Sequence, residues 1–365
     1  MKLLMEYMMN KDYLESIGVT IKTRDKFPGL MLLNYSQIET PKNIKEAHSC
    51  RGHIVDENGF YKCRPFDRFF NYGEQGVGEN VDWTKVTVLE KLDGSLIKVW
   101  FDGTNWQIGT RGTFDAESPI HLSDITFRDH TIKTFGLENE QDWQQWAAKT
   151  FDKNWTYLFE LTSPHNRVVV PHVTNNLWLL AVRNNNSGDY WKFGAVCDFA
   201  RQIDVLVPKQ YHFTTIDECL ETVKSLPFND EGYVVYGNNG PFMKLKSPAY
   251  VAIHRMRGEG MTPSRICDLV WLFEEEEYLA YFQEDKVLFD PYIIGRDKLI
   301  VEIDEVFSQT KNIESQKDFA LAVKDKSYSS VLFTMRKQGI DQSIKVIEEQ
   351  TPQYRERLLR NYLNS

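Results

Sequence analysis

The sequence has no apolar run approaching the roughly 18 to 20 residues that span a bilayer. Its opening stretch, Met1-Lys2-Leu3-Leu4-Met5-Glu6, lacks the continuous apolar segment of a secretory leader, so the expected compartment is the cytoplasm. Five cysteines (Cys50, Cys63, Cys197, Cys219, Cys267) are widely spread and form no Cys-x-x-Cys pair, which excludes a disulfide framework and a cysteine-held zinc site. The eight histidines show no ligand-like spacing. His53, His165 and His172 read as hydrogen-bonded structural residues. The strings G-x-x-x-x-G-K-[ST], H-E-x-x-H and G-x-S-x-G are missing, and with them P-loop, zincin and α/β-hydrolase chemistry. No repeat, low-complexity tract or Gly/Ser linker interrupts the chain.

A positive net charge is also lacking: the formal charge is -9. Phosphate neutralisation supplies most non-specific affinity for nucleic acid, so this balance would disfavour such a partner if it were evenly spread. It is not. Residues 271–310 hold eleven Asp and Glu, including Glu274 to Glu277, against Lys286, Arg296 and Lys298. The remainder is close to neutral and can still carry a basic groove, because a ligand feels the local field.

The length of 365 residues allows two cores of ordinary size. Between about residues 50 and 250, short runs rich in Val, Ile, Tyr, Phe and Trp alternate with Asp-Gly, Asn-Gly and Asn-Asn turn signals. Strands are expected at 86–91, 96–101, 106–110, 156–161, 177–183, 232–236 and 242–246, with one helical interlude around 138–151. After about residue 250, apolar residues fall at three and four spacings over 269–282, 299–307, 319–337 and 340–363. Breaks are expected at Pro291, Gly295 and Gly339. The fold class read from this is α+β: an antiparallel-sheet domain over 1–250 with an N-terminal extension, then an all-helical domain over 251–365.

The centre of the functional reading is Glu90-Lys91-Leu92-Asp93-Gly94-Ser95-Leu96, a lysine ending an apolar strand before an Asp-Gly turn. A lysine nucleophile must shed its proton, which neighbouring cations favour by lowering its pKa, and a glycine lets phosphate approach the backbone. Lys244 and Lys246, spaced i, i+2 in a strand, point to one face and can converge on a phosphate while depressing the Lys91 pKa. Glu160 and Glu231 sit inside β-type runs where an unpaired carboxylate is costly, and they are the candidate metal holders. Arg51, Arg64 and Arg68 precede the nucleophile on two segments, and arginine forks recognise phosphate bidentately.

The order of these strings resembles the nucleotidyltransferases that pass through a lysyl-nucleotide. Motif I at Lys91 is followed by Leu158-Phe159-Glu160-Leu161, Asp230-Glu231-Gly232-Tyr233 and Met243-Lys244-Leu245-Lys246-Ser247. Three further segments resemble the RNA ligase 1 family of T-even bacteriophages: Cys50-Arg51-Gly52-His53, Arg64-Pro65-Phe66-Asp67-Arg68-Phe69-Phe70-Asn71 and Ser163-Pro164-His165-Asn166-Arg167-Val168-Val169. The likeness runs from about 45 to 255.

The resemblance implies an adenylation domain using ATP and Mg2+, with Mn2+ an alternative, and AMP carried covalently on Lys91. It places catalysis on Lys91, Asp93, Glu231, Lys244 and Lys246. Nucleotide contacts fall on Arg51, Arg68, Phe70, Leu89, Glu90, Gly94, Arg111, Glu160 and Tyr250. Glu160 is expected at the ribose and Glu231 at a catalytic metal or its waters. Arg68 and Arg111 stand where the family usually has lysine, keeping charge but changing reach. The implied partner is RNA, single-stranded or at broken tRNA ends, bound by a monomer without a membrane, in a host's cytoplasm if the protein is phage-encoded.

DNA ligases and mRNA capping guanylyltransferases share the lysine chemistry. They generally follow motif V with a β-rich domain, whereas the residues after Ser247 read helical and acidic. A ligase-like RNA-binding protein without turnover would be expected to lose one of Lys91, Glu231, Lys244 and Lys246, and all four are present. Protein AMPylation has no positive support. The acidic tail is expected to face away from an RNA groove or to shape which RNAs enter.

Overall fold

The computed structural model describes residues 10–364 apart from 38, 79–80, 121–122 and 259–260. The Met1–Glu6 start lies outside the described residues. The chain divides into two compact units, the first ending at His254 and the second starting at Arg255. The fold is α+β.

In the first unit, thirteen described strands form three sheets. One has the order β1 (Val19–Lys22), β2 (Leu30–Tyr35), β3 (Arg51–Asp56), β4 (Tyr61–Cys63). The next is built from β7 (Ser95–Phe101), β8 (Trp106–Thr110), β9 (Trp155–Thr162) and β10 (Asn176–Asn184), ordered β10-β9-β7-β8. The last, ordered β11-β6-β12-β13-β5, combines β5 (Phe70–Asn71), β6 (Thr87–Glu90), β11 (Gln210–Tyr211), β12 (Gly232–Gly237) and β13 (Gly240–Lys246). All pairings are antiparallel except the short β13–β5 contact. Each of the seven strands expected from sequence is present within one or two residues. The first sheet was not foreseen as a unit.

Alternation along the strands sorts side chains into layers. Ile97, Val99, Ile108, Phe159, Leu161, Leu177 and Leu179 bury one face of the middle sheet beneath helices α2 (Phe127–Thr134), α3 (Glu140–Thr150) and α4 (Phe193–Gln202). Val88, Tyr233, Val235, Met243 and Leu245 bury the outer face of the last sheet, together with Cys219 and Val223 of α5 (Ile216–Ser225). Only α3 was expected; the others are held by packing that a periodicity scan of short segments does not see. The remaining faces of the two sheets carry Glu160, Leu96 and Leu180 on one side and Lys91, Val234 and Tyr236 on the other, all lining one cavity. The first sheet packs Ile54, Leu32 and Cys63 against Trp100 and Phe114. Helix α1 (Lys11–Ser16) buries Leu14 beside it, and α6 (Pro248–Arg257) follows β13.

The second unit is helical: α7 (Pro263–Trp271), α8 (Glu275–Tyr281), α9 (Lys286–Thr310), α10 (Gln316–Val323), α11 (Ser329–Gln338), α12 (Ser343–Glu348) and α13 (Pro352–Leu363). Two expected breaks do not occur. Helix α9 runs through Pro291, its sixth residue, where proline removes the amide donor to the Val287 carbonyl, and through Gly295. A Cβ at Gly295 would press on the side chains of Leu359 and Leu363, so this glycine serves close helix packing. Conversely, the run 269–282 is interrupted after Trp271, where Phe273 adopts a positive φ of 55°. Gly339 does end α11, in the left-handed conformation. The acidic stretch is partly internal: Glu275 pairs with buried Arg296 at 2.7 Å, and Asp285 accepts from the Tyr278 hydroxyl at 2.5 Å.

Candidate active site

Lys91 follows β6 directly, and its backbone N–H donates to the Gly232 carbonyl at 2.8 Å, extending the β6–β12 ladder by one residue. Its ammonium lies 2.7 Å from Glu231 Oε2, and the other oxygen of Glu231 is 2.9 Å from Lys246 Nζ. The Glu231 side chain is only 4% exposed, so the carboxylate is a buried bridge between two lysines. Burial alone would raise its pKa, yet Lys91 and Lys246 outweigh that and hold it below the usual carboxylate range. Lys244, opposite Val234 in the register, shares a strand face with Lys246, opposite Gly232.

The expected depression of the Lys91 pKa is not what the geometry produces. Burial does push it down, but Glu231, Glu160 and Asp93 together pull it above the ordinary lysine value. The depressed amine is instead Lys244, lowered to about 8 by burial and by the nearby Lys91, Lys246 and Arg51. Lysine spacing along one strand announced the cations; the carboxylates that converge on Lys91 come from three separate segments.

Glu160, on β9, is pushed up to about 8, first by burial and then by Glu231 and Asp93, with Lys91 only partly offsetting them. That shift favours the protonated form, which can donate a hydrogen bond. Among the described residues no three His, Cys, Asp or Glu side chains converge to hold a cation.

Asp93 is fully engaged within the protein. One carboxylate oxygen accepts the backbone N–H groups of Val169 and Val170 at 2.7 and 2.6 Å, and the other accepts the Tyr250 hydroxyl at 2.8 Å. His172 meets the Asp93 carbonyl at 2.7 Å. Asn166 donates to the Leu161 carbonyl and accepts from Ser95 Oγ. The Ser163–Val169 segment thus clamps the Lys91 turn from below. Gly94 has a steric reason besides phosphate access: a Cβ there would collide with the Leu161 carbonyl. Tyr250 is buried between Asp93 and Lys246, its ring centroid 5.2 Å from the Lys246 ammonium.

A second group of cations has a different character. The guanidinium carbons of Arg68 and Arg111 lie 4.4 and 4.9 Å from the ring centroid of Tyr35. Arg51 begins β3, opposite Asn34 and next to Tyr35 in the register, with its guanidinium 5.8 Å from the Phe69 ring. Buried Nη1 atoms of Arg51 and Arg68 have no hydrogen-bond partner. Burial, then Arg51 and Arg68, lowers the Arg111 pKa. Two guanidiniums on the Tyr35 ring and a third on Phe69, two of the three with an unsatisfied buried nitrogen, make a site suited to an anion. Arg64 does not join them: it donates to the Asn185 and Asn186 carbonyls and stacks on Tyr61.

Arg51, Glu90, Lys91, Gly94, Arg111 and Glu160 line a cavity of about 460 Å3, with Phe69, Leu96, Leu180, Pro208, Val234 and Tyr236 as its apolar walls. Phe70 is not among the lining residues; it packs against Arg68 and His48, while the preceding Phe69 faces the cavity. Leu89 is buried in β6 and borders a neighbouring cavity. Leu180 is the extra residue of a bulge between β9 and β10, where the shift in register lies between Leu179 and Ala181. Tyr35, Phe69 and Leu180 were missed from sequence. No local string marks them, because each is defined by what the sheets bring to it.

The segment carrying Arg68 and Phe69 is held from two sheets. Asp67 receives Arg183 of β10 at 2.7 and 3.1 Å, and His53 of β3 lies 3.2 Å away. Burial drives the His53 pKa to about 4. These contacts fit the structural reading of His53.

The sequence profile described as RNA ligase, of the T4 type 1 class, matches residues 49–250. A putative bifunctional polynucleotide kinase/RNA ligase of Autographa californica nuclear polyhedrosis virus is 34% identical over 281 residues, spanning 73% of this chain but 40% of that protein. An RNA ligase of Rhodothermus phage RM378 is 24% identical over 334 residues, 74% of this chain and 72% of that protein. Among solved structures, an archaeal ATP-dependent RNA ligase overlaps 90% of this chain and 77% of its own at 12% identity and a TM-score of 0.43. No described helix is long and apolar enough to cross a membrane. With the profile match covering more than half its length and every one of the motif strings inside that match, the chain belongs to the RNA ligase family.

Proposed function

We propose that this protein is an ATP-dependent RNA ligase that stores AMP on Lys91 and passes it to an RNA 5′-phosphate. The observation that carries the reading is the Lys91–Glu231–Lys246 chain, with its carboxylate buried and Lys91 at the wall of a cavity that also takes in Arg51, Arg111 and Glu160. Leu96, Leu180 and Val234 give that cavity apolar surface for a purine, and Glu160, its carboxyl pushed towards the protonated form, can hydrogen-bond a ribose hydroxyl. Lys244 and the arginines around Tyr35 are the cations for the triphosphate.

A divalent ion fits Glu231 in one way. A single ionised carboxylate cannot hold Mg2+ alone, but Mg2+ is commonly bound by one or two carboxylates with substrate phosphates and water. Glu231 would hold such an ion, Mg2+ or Mn2+, which would supply positive charge to the phosphates, and a Glu231 so engaged would release Lys91 towards its neutral amine. Lys91, having lost its proton, attacks the α-phosphorus; a phosphorus–nitrogen bond forms and the bond to pyrophosphate breaks. An oxygen of the RNA 5′-phosphate then displaces the Lys91 amine. Finally the 3′-hydroxyl oxygen attacks that activated phosphorus, AMP leaves, and the hydroxyl proton passes to solvent. Asp93 acts by positioning, since its carboxylate holds Tyr250 and the Val169–Val170 backbone.

RNA repair is the setting we propose, with a cleaved tRNA anticodon loop as its narrower form. A viral relative whose name couples polynucleotide kinase with RNA ligase supports the former. The test is incubation with α-labelled ATP or GTP and Mg2+, beside Lys91→Ala, then denaturing electrophoresis and addition of 5′-phosphorylated RNA. Label from ATP, absent in the variant and discharged by RNA into a sealed product, is expected. Label from GTP would redirect the assignment to capping, and no label from either nucleotide would overturn catalysis.

A further inference from the structure

Beyond the Glu90–Leu92 segment the first unit has a second, smaller cavity of about 220 Å3, and Glu90, Lys91 and Leu92 line both. Trp178 stands opposite Glu160 in the β9–β10 register, so both project from one sheet face, Glu160 into the larger cavity and Trp178 into the smaller. Tyr211, half-exposed on the edge strand β11, also lines the smaller cavity. Both rings are preset. The Trp178 indole N–H donates to Thr162 Oγ1 at 2.9 Å, and Tyr211 rests on Tyr233 with ring centroids 4.8 Å apart.

Charge separates the two cavities. The larger takes in Arg51 and Arg111 as well as Lys91, against Glu90 and Glu160; among the described residues the smaller has Lys91 as its sole lysine and no arginine, against Glu90, Asp93, Asp230 and Glu231. A terminal phosphate would meet like charge there, whereas a nucleoside ending in hydroxyls is neutral and brings a base that can stack. Lys209, with its ammonium 4.8 Å from the Tyr211 ring centroid, supplies positive charge for the phosphodiester that joins such a nucleoside to its strand.

We propose that the smaller cavity is the acceptor subsite, receiving the terminal nucleoside of the RNA strand that bears the 3′-hydroxyl, with its base between Trp178 and Tyr211. This rests on the ligase reading above, and it explains why donor and acceptor ends would not exchange places: the end carrying phosphate and the end lacking it meet opposite fields on the two sides of one lysine.

The experiment uses the full chain with a preadenylated RNA donor and a short 5′-hydroxyl, 3′-hydroxyl acceptor, measuring sealing rate against acceptor concentration for wild type, Trp178→Ala, Trp178→Phe and Tyr211→Ala. The half-saturating acceptor concentration is expected to rise about tenfold or more in each alanine variant and far less in the phenylalanine variant, since one base stack is lost. Lysine adenylation by ATP, measured on the same preparations, reports whether the effect is confined to the acceptor step. An unchanged acceptor dependence, or a parallel fall in adenylation and sealing, overturns the subsite. In wild-type protein, 4-thiouridine at the acceptor 3′ end should crosslink to peptides containing residue 178 or 211, and crosslinks confined to other peptides also overturn it. Failure of wild type to form lysyl-AMP at all would instead sink the ligase reading itself.

Discussion

Two groups of cations, one reaching the large cavity through Lys91 and the other through Arg51 and Arg111, are built on opposite plans. Lys91 and Lys246 share one buried carboxylate, so both ammoniums already have a partner within the protein. The arginines around Tyr35 rest on aromatic faces, and Arg51 and Arg68 each leave a buried nitrogen without an acceptor. The difference teaches which group is organised for binding and which for a change of protonation. Unsatisfied guanidiniums are costly until an anion arrives. A paired lysine is stable as a cation and must be released from its partner before it can react.

The largest expected break in this comparison is Glu231→Gln. It removes the bridge and the ionised group most suited to order a metal, and lysine adenylation should fall about 100- to 1000-fold. A loss under tenfold would mean that the bridge serves only the fold. Next, Arg51→Ala and Arg111→Ala should each lower kcat/KM for ATP roughly ten- to a hundredfold, as loss of a charge-assisted contact does, with the effect mainly in KM if the arginines bind ground state and transition state alike.

A third measurement separates the two plans by pH. In the proposed reaction Lys91 reacts as the neutral amine, and its pKa is raised by Glu231, Glu160 and Asp93 against the effect of burial. Adenylation should therefore climb with pH through the neutral range. Lys244 acts as a cation and loses its charge near pH 8, so the rise should bend over above that point. Lys244→Arg keeps the charge, and its profile should continue upward; an unchanged bend would remove Lys244 from the explanation.

Smaller effects test the supports. Gly94→Ala places a Cβ against the Leu161 carbonyl and should cost about 1–3 kcal/mol of stability, read as a shift in the denaturant midpoint. A chain ending after Arg257 should retain lysine adenylation, because every side chain assigned to that step precedes residue 255. It should lose discrimination among RNAs; an unchanged preference between tRNA fragments and unstructured RNA would count against a selecting role for the helical unit.

How much of this was legible beforehand differs by residue. Lys91, Glu231, Lys244 and Lys246 could be named because each belongs to a short string whose chemistry is local: a turn after a strand, or alternate residues on one strand face. The strands were legible for the same reason, since period-two patterning and turn signals lie within a few neighbours. Phe70 was named from the sequence, whereas Phe69 is the one of the two that lines the cavity; which of two consecutive aromatics does so is set by contacts between distant segments, and the adjoining Asp67 is held by Arg183 across more than a hundred residues. Pro291 and Gly295 were read as breaks, and the packing of α9 against α13 overrode them.

The sequence by itself determined seven strands and one helix of the first unit, the helical character of the second and the lysine string on which the proposed chemistry rests, because these depend on local periodicity and on strings with one dominant chemistry. Only the tertiary structure decided the protonation balance: Lys91 raised, Lys244 lowered to about 8, Glu160 raised to about 8. The physical reason is that a pKa reports burial and the sum of nearby charges, and here those charges arrive from β6, β9, β12 and β13, whose meeting point no single segment encodes.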